Sequence, residues 1–229
     1  MQTYDSLLDR LNTFISQSKF VDILKQSREE YFTLTGEIFE DDEYFEERMT
    51  AFNEWFLFDK TINGHLTPIL SFIQDNVKHL SEQEYAAFKN LTFNIHSLFE
   101  LQKTTQEMII VKDLISRQNY QVTKPEQFIG LEKGDLFEAR IFETTPHRYQ
   151  FSHAFCYHPA KAKKSILQML KNFRKEGLSE EEFLIRLNAF KNRWQRYHHV
   201  LPTQIYKPEL LQIPPQEKNR IKMALRLSN

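Results

Sequence analysis

Large apolar residues recur at helical spacing through the first hundred positions of the chain. Their stripes predict four helices that begin near Tyr4, Phe20, Asp41 and Leu66. A fifth helix is marked by the sequence Ser-Glu-Gln-Glu at 81–84, a capping box in which serine and glutamate satisfy backbone N–H groups reciprocally. We expect this fifth helix to continue through Ile95.

The pattern changes near residue 98, where short β-branched and alternating runs replace the helical stripes. These runs predict strands near 108–111, 120–123, 136–142 and 149–157. In the third run Phe137, Ala139 and Ile141 share one face, which places Arg140 on the other. We interpret 98–158 as an antiparallel sheet of four or five strands.

Helical spacing returns after residue 160. One apolar stripe ends at Gly177, and a second capping box at 179–182 begins another stripe that includes Trp194 and Tyr197 as expected core residues. Four prolines between 202 and 215 exclude a long helix, so 199–215 should be extended. A short basic helix is expected at 216–227.

These patterns divide the chain into a helical N-terminal segment (1–97), a small antiparallel sheet (98–158) and a basic helical C-terminal segment with a proline-rich arm (159–229). We predict an α+β fold that is mostly helical, with the helices packed on the embedded sheet in one compact unit. The twenty phenylalanines indicate a core of large interlocking rings.

Composition removes several common functions. Five glycines in 229 residues, with no GxxxxGK[ST], GxGxxG or GxSxG sequence, remove the usual nucleotide-binding and hydrolase signatures. Cys156 is the only cysteine, no apolar run approaches the roughly 20 residues of a membrane span, and the first residues show no secretion signal. We therefore expect a cytoplasmic protein that does not act at a membrane.

Charge is segregated along a chain whose formal net charge is only −1. Residues 1–60 carry six basic and fourteen acidic side chains, whereas 161–229 carry fifteen basic and six acidic ones. In one interpretation, the two ends pack on each other or face solvent separately. In the other, each end binds an oppositely charged partner. The acidic run at 37–47 is expected to be a solvated face near a helix start.

Three short sequences carry a family resemblance: FNEWFLFD at 52–59, DLI at 113–115 and GDLFEAR at 134–140. With them, about residues 50–160 resemble a group of uncharacterised bacterial proteins, some of which carry a C-terminal cysteine-rich SEC-C zinc motif. The C-terminal part of this chain has no cysteine, so that motif does not carry over. The resemblance implies a helical segment that leads into a small sheet, and no activity.

Two groups of residues could carry chemistry. His147, His153, Cys156 and His158 have spacings compatible with zinc ligands, but strand alternation puts Cys156 and His158 on one face and His153 on the other. We therefore expect Cys156 to be a small buried side chain and predict no metal and no cofactor. Any pocket for a small molecule is expected at the polar residues beside apolar runs, which are Asp59, Asp113, Asp135 and Arg140.

The basic residues of the C-terminal segment are the strongest functional candidates. Basic side chains near aromatic ones suit phosphate contacts and base stacking. The candidate basic face consists of Lys171, Arg174, Lys175, Arg186, Arg193 and Arg196. Our first hypothesis is a non-enzymatic interaction protein that docks on a protein partner or a second copy through segregated charges. The alternatives are nucleic-acid binding by the basic helices, and a small-molecule-binding protein or unrecognised enzyme.

Overall fold

The computed structural model describes residues 3–62, 64–125, 130–176 and 179–207. Backbone contacts divide the chain into two compact units. The first, which we call the helical unit, contains residues 3–32 and 46–93. The second, the barrel unit, contains residues 33–45 and the described residues from 94 onward. That the whole chain packs as one compact body stays a prediction.

Five helices form before residue 92, as the apolar stripes predict. They are α1 (Tyr4–Ile15), α2 (Val21–Thr35), α3 (Phe45–Phe58), α4 (Pro68–Asn76) and α5 (Glu82–Leu91). Pro68 occupies the first turn of α4, where a missing N–H costs nothing. The predicted capping box is present at the start of α5, with Ser81 and Glu84 bonded in both directions. The helix ends four residues before Ile95, which instead begins a strand.

The helical unit has an aromatic core, as the phenylalanine content predicts. The rings of Phe14 and Phe88 both pack on Phe72, with centroid distances of 5.3 and 4.5 Å. The last turn of α3, residues 55–58, is buried on every side. Such contacts between edges and faces of rings add to the free energy gained from burying their apolar area.

The sheet in the barrel unit is a closed five-stranded barrel. Its strands are β1 (Ile95–Thr104), β2 (Met108–Asp113), β3 (Asn119–Thr123), β4 (Leu136–Thr145) and β5 (Arg148–Tyr157), in the order β1-β2-β3-β5-β4. Four neighbouring pairs are antiparallel. The fifth pair, β3 with β5, is parallel, and the sheet is therefore mixed rather than wholly antiparallel. The predicted α+β class is confirmed.

Side-chain alternation fills the barrel with apolar residues. Phe99, Val111, Val122, Phe137 and Ile141 point inward and are fully buried. The ring of Phe137 stacks on that of Phe155 across β4 and β5, with centroids 4.6 Å apart. Because successive strand residues face opposite sides, the residues between these positions lie on the outer surface of the barrel.

In the described residues up to 207, three α-helices follow the barrel and cover part of its outer surface. They are α6 (Lys163–Glu176), α7 (Glu180–Arg196) and α8 (Pro202–Ile205). Their apolar stripes pack with Leu98 of β1 and Leu136 of β4 in one buried cluster. The predicted capping box begins α7, where Ser179 accepts from the N–H of Glu182.

The segment after α7 departs from its prediction. Residues 202–205 form a short helix rather than extended chain, because Pro202 occupies a first-turn position that needs no N–H donor. Gly177, the rest of the proline-rich arm from 208 and the basic helix expected at 216–227 lie outside the described residues. Within the described ranges, no helix is long and apolar enough to cross a membrane.

Candidate functional site

The outer surface of the barrel has two parts that differ in what covers them. One part lies on β1, β4 and the end of β5, beneath the cluster formed with α6, α7 and α8. The other part lies on the end of β1, on β2 and β3, and on the start of β5, where side chains are partly or fully exposed. Each part carries a distinct set of polar residues.

A group of polar side chains is buried on the covered part. We call it the buried polar cluster, and it consists of Glu138, Cys156 and His158 with their partners His96 and Tyr206. Glu138 and Cys156 are cross-strand neighbours, and His158 directly follows the end of β5, two residues after Cys156. A carboxylate oxygen, the Cys156 sulfur and a His158 ring nitrogen all lie within 4.8 Å of one another.

Hydrogen bonds hold the cluster from two sides. His158 Nδ1 lies 3.1 Å from the Tyr206 hydroxyl, and His96 Nε2 lies 3.0 Å from Glu138 Oε1. Two buried atoms, Glu138 Oε2 and His158 Nε2, have no hydrogen-bond partner among the described residues. Both side chains are only 5% exposed, so water does not compensate from outside. Buried polar atoms in this state are uncommon and need an explanation.

Burial sets the protonation of the cluster. It lowers the pKa of His158 to about 3, so the imidazole is neutral near pH 7. Burial, with a further contribution from the Glu138 carboxylate, raises the pKa of the Cys156 thiol. The cluster therefore offers a neutral imidazole nitrogen, a carboxylate oxygen and a sulfur, which are all donor atoms that transition metals accept.

A row of outward-facing residues crosses four strands on the uncovered part. Lys103 pairs with Ile110, Ile110 with Gln121, and Gln121 with Arg148. Lys112 lies two residues along β2 on the same side. We call these five residues the open barrel face. Lys103, Gln121 and Arg148 are exposed, and Ile110 and Lys112 are half-buried.

The open barrel face carries an excess of positive charge. Lys103 and Arg148 make no ion pair in the described part of the chain. Glu100 is the cross-strand neighbour of Lys112. Its carboxylate forms an ion pair with Lys163, whose Nζ donates a hydrogen bond to it at 2.7 Å. Partial burial acts to raise the pKa of Glu100, but hydrogen bonds from Lys163 and Gln102, with the charges of Lys163 and Lys112, lower it overall.

The four residues suggested for a pocket have separate local roles. The Asp113 carboxylate accepts hydrogen bonds from Ser97 and from the residues of the turn after β2. Asp135 accepts from the N–H of Glu132 in the turn before β4. Arg140 is buried on the outer surface and donates to the amide oxygen of Asn94. Asp59 belongs to the helical unit and lies at the end of α3.

The candidate basic face is partly used within the protein. Arg174 donates to the carbonyl oxygens of Leu114 and Ile115, at 2.7 and 3.1 Å. Arg196 donates to the carbonyl of Glu37 and lies 3.6 Å from the Asp42 carboxylate. The other four members, which make no ion pair in the part of the chain described, are Lys171, Lys175, Arg186 and Arg193.

Some of the acidic run at 37–47 therefore meets basic residues inside the barrel unit. Beyond the contact with Asp42, the Arg196 guanidinium lies 5.6 Å from the centre of the Phe39 ring. Lys191 is buried and its ammonium lies 5.9 Å from the centre of the Tyr44 ring. We call residues 37–44 the strap. The carboxylate of Asp42 and the ring of Tyr44 lie near basic residues of α7, whereas Glu37, Glu40, Asp41 and Glu43 are exposed, so the acidic run is a largely solvated face.

The remaining candidates from the sequence fall in different environments. Cys156 and His158 share a buried face, as alternation predicts, whereas His147 and His153 are exposed. Trp194 packs partly on the cluster beneath α7, but Tyr197 is 45% exposed because the helix ends there. The sequence does not predict that Glu138, His96 and Tyr206 lie near Cys156, since only the strand register and the position of α8 bring them there.

Comparison with known protein families gives a match over most of the chain. The pattern of a protein family described as a family of unknown function (DUF7986) matches residues 3–197. No curated protein and no solved structure matches the chain.

Proposed function

The chain belongs to the family of unknown function DUF7986, and we propose that its barrel unit binds single-stranded nucleic acid across the open barrel face. The observation that carries this proposal is the cross-strand row from Lys103 through Ile110 and Gln121 to Arg148. With strands about 4.8 Å apart, this row spans about 15 Å. The row begins at Lys103 and ends at Arg148, which are both cationic, and between them lie the apolar Ile110 and the amide of Gln121.

The topology of the barrel supports this assignment. The order β1-β2-β3-β5-β4, closed by a parallel β3–β5 pair, is the order of oligonucleotide- and oligosaccharide-binding (OB) barrels. Those barrels bind ligands on the β2–β3 face, between the β1–β2 and β4–β5 loops. The open barrel face occupies the same position on this barrel. A shared topology does not establish a shared function, so nucleic-acid binding must be supported by the side chains of the open barrel face.

The chemistry of the face suits a flexible polyanion. Lys103, Lys112 and Arg148 can contact phosphates, and the Gln121 amide can donate to and accept from base edges. Ile110 offers an apolar surface beneath a base. Single strands fit better than a duplex, since their bases are free to lie against a sheet.

Fluorescence anisotropy with a labelled single-stranded oligonucleotide tests the proposal. Three phosphate contacts predict a slope of log K against log salt of about −2. We expect binding at low salt, weaker binding to a duplex of the same length, and this salt dependence. Absence of binding at low salt would overturn the proposal.

Docking through segregated charges is the second candidate function. It is favoured by the four cations on α6 and α7 that make no ion pair with any other described residue, and the partner would be an acidic protein surface or a second copy of the chain. Light scattering and pull-down at low and high salt test it. Salt-sensitive association is expected, and a monomer without partners at low salt would exclude it.

Two further expectations remain proposals. A cytoplasmic location is supported by the single, buried cysteine, and a bacterial origin by the resemblance of residues 50–160. We propose no enzymatic activity, since Asp113 and Asp135 act as acceptors within their own turns.

A further inference from the structure

We propose that the buried polar cluster is a zinc-binding site, with Glu138 Oε2, Cys156 Sγ and His158 Nε2 as its ligands. The three side chains are buried, and one carboxylate oxygen of Glu138, the Cys156 sulfur and one ring nitrogen of His158 lie within 4.8 Å of one another. A tetrahedral zinc site with these ligand types has donor atoms about 3.3–3.6 Å apart. Small rotations of three side chains therefore bring them to bonding distance. The proposal is independent of nucleic-acid binding.

The two unpartnered atoms point to this role. Glu138 Oε2 and His158 Nε2 have no hydrogen-bond partner among the described residues, and both belong to side chains that offer a donor atom within 4.8 Å of Cys156 Sγ. An unused lone pair in a buried site costs free energy. A metal ion that accepts both lone pairs removes this cost.

The outer contacts of the cluster match those of metal ligands. Ligating histidines nearly always donate their second ring N–H to a nearby oxygen, and ligating carboxylates are themselves hydrogen-bonded. Here His158 Nδ1 lies beside the Tyr206 hydroxyl, whose oxygen can accept from an Nδ1–H, and in that tautomer Nε2 carries the lone pair that would bind the metal. Glu138 Oε1 accepts from His96 Nε2, which leaves Oε2 for the metal.

Charge balance favours a divalent ion. A Cys156 thiolate and a Glu138 carboxylate together carry two negative charges, which a divalent cation neutralises, while the His158 imidazole stays neutral. Binding releases the thiol proton to solvent, so that charge and protons balance. Thiolate sulfur, imidazole nitrogen and carboxylate oxygen are each zinc ligands, whereas calcium and magnesium prefer oxygen alone. Three protein ligands leave one tetrahedral position for water.

This inference replaces the expectation of no metal drawn from the sequence. Alternation correctly separates His153 from Cys156 and His158, but the third ligand comes from β4 rather than from the histidines nearby in sequence. The cross-strand pairing of Glu138 with Cys156 supplies what the local sequence lacks.

The test uses full-length protein without a histidine tag. The protein is treated with a chelator, refilled with zinc, desalted and subjected to elemental analysis. We expect one zinc per chain and a melting temperature at least about 5 °C above that of the chelated form. A folded wild-type protein that retains no zinc, or whose melting temperature does not respond to zinc, would overturn the proposal.

Cobalt and two variants identify the ligands. Cobalt-loaded wild-type protein should show the near-ultraviolet charge-transfer band of a cobalt–thiolate bond, and Cys156→Ser should lose it. His153→Ala, which removes an exposed histidine of the same strand, should keep both the band and the metal. Loss of metal in His153→Ala with retention in Cys156→Ser would contradict the assignment, and the wild-type measurements decide the matter if Cys156→Ser does not fold.

Discussion

His158 and Tyr206 are buried hydrogen-bond partners 48 positions apart in the chain, with Nδ1 and the hydroxyl oxygen separated by 3.1 Å. Tyr206 follows α8, and its ring also stacks on Phe190 of α7 with centroids 5.4 Å apart. The tyrosine thus joins the end of β5 to two helices. Its hydroxyl forms the hydrogen bond with His158, whereas its ring packs on Phe190.

Tyr206→Phe separates these two roles. The substitution keeps the ring but leaves a buried imidazole N–H without an acceptor, so we expect a loss of about 1–3 kcal/mol in the free energy of unfolding. Because Tyr206 orients a proposed zinc ligand, zinc affinity should fall by about 10- to 100-fold. Urea denaturation and competition with a chelator measure the two effects.

Tyr85→Phe is the matched control, since Tyr85 is 37% exposed and belongs to the helical unit. Tyr85→Phe should change neither the free energy of unfolding nor the zinc affinity. Equal stability of Tyr206→Phe and wild-type protein would show that the hydrogen bond is not formed.

The lowered pKa of Lys191 predicts that the free energy of unfolding rises with pH. Burial lowers its pKa from 10.5 to about 7, so between pH 7 and 10.5 the unfolded chain binds a proton that the folded chain does not. The free energy of unfolding should therefore increase with pH in that window, by at most about 1.4 kcal/mol per unit from this residue. The gain is absent below pH 7, where both states are protonated.

Lys191→Met removes the buried charge and should flatten that part of the pH profile. At pH 6–7 we expect the variant to be more stable than wild-type protein by at least about 1 kcal/mol, and the difference should shrink as the pH rises to 10. The exposed Lys175→Met is the control. A variant whose profile parallels that of wild-type protein would refute the role of Lys191.

Arg196 should hold residues 37–42 in place. Its contacts with the Glu37 carbonyl and the Asp42 carboxylate are partly exposed, so Arg196→Ala should cost at most about 1 kcal/mol of stability. Hydrogen exchange in residues 37–42 should nevertheless become faster, because the strap loses its anchor. Arg193→Ala, an exposed neighbour on α7, should leave exchange unchanged. Equal exchange in both variants would contradict this role.

Ser81→Ala should destabilise the helical unit by about 1 kcal/mol, since it removes the side chain that caps α5. Hydrogen bonds from the backbone and hydroxyl of Ser81, aided by Arg10, lower the pKa of Glu84 to about 2. Removing the hydroxyl should raise that pKa, which carbon-detected NMR can follow. Gln83→Ala, at an exposed position in the same turn, should affect neither value.

Local signals explain why much of the fold could be predicted. Each capping box identifies a helix start from four consecutive residues, and both α5 and α7 begin as expected. Strand alternation likewise separates Phe137 from Arg140 without knowledge of any partner strand. These features depend on neighbours within a few positions.

Barrel closure and the zinc ligands depend on distant pairings. The parallel contact of Gln121 with Arg148 joins strands that a further strand separates in sequence, and no local pattern specifies it. Glu138 meets Cys156 only because β4 and β5 adopt one particular register. Tyr206 lies beyond three helices, α6, α7 and α8, and its place depends on how those helices pack.

A comparison of two charge-reversal variants tests the central claim most directly. Lys103→Glu combined with Arg148→Glu alters the open barrel face, and Lys171→Glu combined with Lys175→Glu makes the same change in net charge on α6. In single-stranded oligonucleotide titrations at one low salt concentration, the barrel variant should lose at least about tenfold in affinity and the α6 variant should stay within about twofold of wild-type protein. Equal losses, or a larger loss in the α6 variant, would contradict binding by the open barrel face.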